Sequence, residues 1–131
     1  LRQVLDRRGK NLGAGGDSDM ALTTFVLGLG AGRFPELELT HLIPARRLTL
    51  KYMEPLFEGF GYGGIILNAI HGNDRWYPGQ FGSSGLKIFL LRLIMFAAGK
   101  SRAERTIKLA EERGRLAARK DLRRLNAPKT S

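Results

Sequence analysis

Cysteine is absent from the 131 residues, which excludes disulfides, thiolate metal sites and thiol nucleophiles, and suits a reducing compartment. No apolar run is long enough to cross a bilayer. The longest, residues 86–98, is broken only by Lys87 and Arg92; as a helix it spans about 20 Å, short of the roughly 30 Å of hydrocarbon. No segment of the sequence combines a basic start, an apolar middle and a small-residue cleavage site, a pattern that a truncated start would remove in any case. Internal repeats of solenoid length are missing as well.

Acids are scarce in the second half of the chain. Residues 1–70 carry 8 Lys and Arg against 7 Asp and Glu, whereas residues 71–131 carry 14 against 5. The formal charge of +10 therefore belongs to the tail, which could meet anionic lipid, an acidic partner or nucleic acid, or simply be a solvated helix. Nucleic acid is disfavoured, because the charge comes without a recognisable reading module. Otherwise the composition, 43% hydrophobic and 26% charged, is that of a globular domain long enough for one core. The chain opens at Leu1, and residues 1–9 read as a helix end running into a turn, so the expectation is the C-terminal part of a longer protein.

Gly9 and the glycine-rich residues 13–16 make a flexible lead into Asp17, since glycine loses the most backbone entropy on ordering. Met20, Leu22, Phe25, Val26 and Leu29 then predict a helix over 18–29, with Asp17 as its N-cap and Gly28, Gly30 and Gly32 ending it. Leu37, Leu39 and His41 alternate with Glu36, Glu38 and Thr40, the period of a half-buried strand, between Pro35 and Pro44. From Arg47 a helical pattern runs through Leu48, Tyr52, Leu56 and Phe57, and Pro55 should kink it or begin a second helix. The glycines of residues 59–64 interrupt that pattern, leaving a turn or two of helix over 65–70.

Residues 73–84 read as a loop carrying Trp76, Tyr77 and Pro78. Its aromatics could stack on a sugar or lipid, or anchor the loop to the core. Residues 86–98 make an apolar helix, suited equally to a buried core and to a bilayer interface beside Lys100, Arg102 and Arg105. Residues 102–125 predict a long charged helix with a thin stripe of Ala103, Ile107, Ala110, Gly114 and Ala117. Ser101 and Glu104 form a candidate capping box at its start, and residues 127–131 should fray. The fold class is therefore mainly α with a short strand segment, organised as residues 1–70 and a helical basic tail over 71–131.

Candidate chemistry lies at the ends of these elements. Asp17 and Asp19 fit a two-aspartate metal pattern, but their place at a helix start favours another role. An acid there accepts amide hydrogen bonds, and the positive end of the helix dipole favours its charged form; Asp17 reads either as a plain cap or as a reactive carboxylate. His41 closes the alternating segment, where it is either an edge residue or one ligand of Mn²⁺ or Mg²⁺ alongside carboxylates from elsewhere. Arg46 and Arg47 follow, a surface pair or a guanidinium fork for diphosphate oxygens. Gly59, Gly61 and Gly64 spell a formal dinucleotide fingerprint, but they follow a helix rather than a strand and are set aside. No Ser/His/Asp triad is supported.

The order of these features, Gly15-Gly16-Asp17-Ser18-Asp19-Met20, a helix, then Phe34-Pro35-Glu36-Leu37-Glu38-Leu39-Thr40-His41-Leu42-Ile43-Pro44 with Arg46 and Arg47 behind it, resembles the C-terminal part of family 2 glycosyltransferases with the GT-A fold. In that family a Gly-Glu-Asp stretch opens a helix, and a strand of the form Pro, apolar, apolar, His, apolar, Pro leads into an arginine and an aromatic-bearing helix. The resemblance covers residues 15–52. Beyond them the tail is similar only in being helical and basic.

What the resemblance implies is the acceptor side of an α/β nucleotide-diphospho-sugar transferase domain, passing a sugar from a nucleotide-diphosphate sugar to the hydroxyl of a saccharide or lipid-linked acceptor. Asp17 then falls at the general base, Arg46 and Arg47 at the leaving diphosphate, and His41 at a ligand of a divalent metal, Mn or Mg, whose other ligands lie outside this chain. Gly16 departs from the family's glutamate. The nucleotide-binding half is not in this sequence, so the expectation is an active parent enzyme and an inactive segment. Its expected location is the cytoplasm, with peripheral seating on the inner face of the cell membrane. The competing expectation is a non-enzymatic helical module that docks on a partner or a membrane surface.

Overall fold

The computed structural model describes residues 15–30, 32–72 and 85–126. Four helices dominate: α1 (Gly16–Val26), α2 (Leu50–His71), α3 (Gly85–Ala97) and α4 (Arg102–Asn126), with one 3-10 turn at Ala45–Leu48 before α2. Among the described residues there is no strand. The chain is thus mainly helical, and the expected strand around His41 is corrected: the segment is exposed and makes no ladder, with Leu39 95% exposed. A strand needs a neighbour to take its backbone hydrogen bonds, and among the described residues no segment pairs with this one.

Local signals set the helix ends. Gly15, at φ 126°, precedes α1, and Gly28, at φ 74°, follows it, both in conformations that side-chain-bearing residues avoid. The helix therefore starts one residue before Asp17, which lies inside the first turn and does not cap it. Gly72, at φ 61°, closes α2 in the left-handed form usual after a helix. At α4 the capping box forms as read: the Ser101 amide donates to Glu104 Oε2 at 2.9 Å and the Glu104 amide to Ser101 Oγ at 3.2 Å. These Ser101 contacts, with Lys100 beside them, hold the Glu104 carboxyl below its ordinary range.

The largest departure from expectation is α2, which runs 22 residues without a break through Pro55 and the glycines of 59–64. Pro55 sits early in the helix and costs one backbone bond, the one its missing amide would give to Lys51. The glycines are kept helical by what they touch. A β-carbon on Gly61 would stand 2.0 Å from the carbonyl oxygen of Glu111, and one on Gly114 would stand 1.9 Å from that of Glu58. Two backbones meet at that point, and only glycine on both sides permits it.

Arg113 reaches Glu54, and Tyr62 reaches Asp121, each pair 59 residues apart. Equal offsets along both helices mean that α2 and α4 run in the same direction. Lys87 lies near Glu112, and Phe96 lies under Arg105, so α3 runs antiparallel to α4 and returns the chain. Ile66, Leu67 and Ala118 form the centre of the core, with Leu22 of α1, Tyr62, Ile65, Ile70 and Leu122 packed around it. On α4 the buried small residues are Ala110, Gly114 and Ala118; Ala103 is exposed and Ala117 half-buried, so the predicted stripe is right in its middle and shifted at its ends.

Candidate functional site

Asp17 is exposed in the first turn of α1, and its Oδ1 accepts the Ser18 amide at 2.8 Å. Asp19 shares that turn, so two acids stand where unpaired amides and the dipole favour negative charge. They face different surroundings. Asp17 is open to solvent, whereas Asp19 Oδ1 lies 2.7 Å from His71 Nε2, with both side chains largely buried. That contact joins the start of α1 to the last residue of α2, and Leu22, one turn on, packs against the Ile66–Leu67 core.

Sequence reasoning missed the Asp19–His71 pair. Asp19 read as the second half of a metal motif, and a histidine at a helix C-terminus is explained by the dipole alone. The two are 52 residues apart, and no local pattern carries such a pairing. One turn before His71, Nδ2 of Asn68 is buried without a hydrogen-bond partner among the described residues, an arrangement that costs about 1–3 kcal/mol.

His41 is exposed in the irregular segment before the 3-10 turn, three residues ahead of Pro44. Among the described residues no group of three or more His, Asp or Glu side chains is placed to hold a metal ion. His41 thus offers one imidazole, and this chain's described residues do not themselves form a Mn²⁺ or Mg²⁺ site. Arg46 and Arg47 lie in the 3-10 turn. Arg46 is exposed, and its carbonyl accepts the Thr49 hydroxyl at 2.9 Å. The Arg47 guanidinium stacks 5.7 Å from the centre of the Tyr52 ring, which orients it and restricts its reach. No hydrogen bond or ion pair joins Asp17, His41 and the arginine pair to one another. The loop over 73–84 with Trp76, Tyr77 and Pro78, the glycine lead at 9–14 and the tail at 127–131 lie outside the described residues.

Away from this end, charge is concentrated between α4 and its neighbours. Glu112 is only 3% exposed, with Arg115 at 2.6 Å and Lys87 of α3 at 3.8 Å. Arg115 also pairs with Glu111, which takes Lys108 at 2.9 Å. Arg113 bridges to Glu54 at 2.6 Å and Glu58 at 3.5 Å on α2, in an exposed setting. Tyr62 donates to Asp121 at 3.1 Å. Burial first, then that hydrogen bond and the Asp121 charge, push the phenol above its ordinary 10.0. The Lys87, Arg113 and Tyr62 contacts join α4 to α3 and α2, the Lys108 and Arg115 pairs lie within α4, and none of them offers open chemistry. Comparison with protein-family models, curated proteins and solved structures returns no match.

Proposed function

We propose that this chain supplies the acceptor side of a glycosyltransferase active site of the GT-A, family 2 kind. The observation that carries the reading is Asp17: a solvent-open carboxylate in the first turn of a helix, on a helix tethered at the neighbouring turn position by Asp19 and His71. A carboxylate so placed can accept the proton of an acceptor hydroxyl while the oxygen attacks the anomeric carbon of a nucleotide-diphosphate sugar. Arg46 and the stacked Arg47 would meet charge developing on the departing diphosphate. His41 would give one ligand to a divalent metal completed by groups beyond this chain.

The nucleotide-binding half would be supplied from outside these residues, so the segment alone is expected to be inactive. The test is nucleoside-diphosphate release from a panel of nucleotide sugars by the parent polypeptide. Asp17→Asn should lower turnover by about 10²–10⁴-fold, and Arg46→Ala should weaken use of the donor. Unchanged turnover in Asp17→Asn sinks the general-base role.

A further inference from the structure

We propose that α3, with the corner joining it to α4, is a docking edge for an anionic lipid bilayer, a surface independent of the sugar-transfer reading. Ile88, Leu91 and Met95 are half-buried on the side of α3 that carries Lys87 toward Glu112 of α4. Leu86, Phe89, Leu90, Leu93, Ile94 and Phe96 are exposed on the other side, Phe96 at 71%. Six large apolar side chains on one 13-residue helix form a patch of the kind that soluble surfaces rarely leave uncovered. No described helix is long and apolar enough to cross a membrane, so the geometry that fits is a helix lying in the interface, its apolar face down.

Charge selects the occupant. Residues 85–103 contain Arg92, Lys100 and Arg102, besides Lys87 on the side turned toward Glu112, and the first acid is Glu104. Arg92 and Arg102 are exposed. The Arg105 guanidinium lies 5.4 Å from the Phe96 ring centre and donates to the Lys100 carbonyl at 2.8 Å, which fixes a cation at the edge of the apolar face. Lys100 shares its charge with Glu104 across an exposed 3.4 Å contact. A second copy of this face would bring Arg92, Arg102 and Arg105 against their like, and the one acid at the corner, Glu104, is already shared with Lys100. Phosphate headgroups complement the same cations, and long basic side chains can reach them while the ring and leucines enter the acyl boundary.

Sedimentation of the full chain with vesicles tests this. Binding to phosphatidylglycerol-containing vesicles is expected at low salt, weakening as salt rises and weaker by about tenfold or more on pure phosphatidylcholine. The double variant Phe89→Glu with Leu93→Glu changes only outward-facing residues and should keep the far-UV circular dichroism while losing roughly tenfold or more in vesicle affinity. Arg92→Glu with Arg102→Glu should show a comparable loss with the apolar face intact. Three results overturn the proposal: no binding to anionic vesicles, anionic binding unchanged by Phe89→Glu with Leu93→Glu, or concentration-dependent dimerisation abolished by that pair without lipid binding.

Discussion

Gly61 of α2 and Gly114 of α4 stand at one level of the helix crossing, each with the other helix's carbonyl where its own β-carbon would go. In an open helix, replacing glycine by alanine stabilises by about 1 kcal/mol. Here the sign reverses, because an atom 2 Å or less from a backbone oxygen forces the helices apart along their length. Gly61→Ala and Gly114→Ala should each lose about 3 kcal/mol or more in urea unfolding. Gly30→Ala, with nothing within 4 Å, should stay within about 0.5 kcal/mol.

Tyr62 makes stability sensitive to alkali. Its phenol titrates higher in the folded chain than in the unfolded one, because burial and then Asp121 favour the neutral form. The contribution is therefore complete below the ordinary tyrosine value of 10.0 and lost as pH climbs through the raised one. Tyr62→Phe should cost about 1 kcal/mol at neutral pH through the missing hydrogen bond. The same variant should flatten the alkaline fall in urea midpoint; an equally steep fall in it would assign that fall to another group.

Two arginines two residues apart should behave very differently. Arg115 is largely buried beside Glu112, which is more buried still, and Arg115→Ala should cost about 3 kcal/mol by leaving that carboxylate poorly compensated. Arg113 bridges two glutamates in solvent, where screening and side-chain entropy consume most of the gain, so Arg113→Ala should cost less than about 1 kcal/mol. Chemical denaturation of both variants side by side checks the ranking.

The Asp19–His71 contact should determine how firmly the Asp17-bearing helix is held. His71→Ala removes a largely buried 2.7 Å partner and should cost about 1–3 kcal/mol. Amide exchange in α1 should rise more than in α4, because Leu22 is left to hold α1 against the core. Equal loss of protection in both helices would mean that the pair supports the whole fold and does not tether α1.

Features written in neighbouring residues were legible in the sequence. The Ser101–Glu104 capping box, the extent of α4 and the apolar helix over 86–98 all rest on contacts within a turn or on simple periodicity. Features decided at a distance were not. The glycines of 59–64 read as a break because intrinsic propensity says so, and the opposing glycine that keeps them helical lies in α4. The alternation over 36–41 is that of a strand, yet a strand is a property of a pair, and no pair is described. At the candidate site, Asp17 was legible as an acid at a helix start, although the cap position went to Gly15. The buried pairing of Asp19 with His71 depended on how α1 folds onto the end of α2.

The same crossing bears on how the chain comes to be folded. Most of the core lies between two helices whose cross-contacts span 59 residues, and α2, with Pro55 and its glycines, has little tendency to be helical alone. Its 22 residues should gain stable helix only when α4 arrives. Closing that long loop then sets the pace of folding, and during synthesis α2 would wait, unstructured, until the last described helix has left the ribosome.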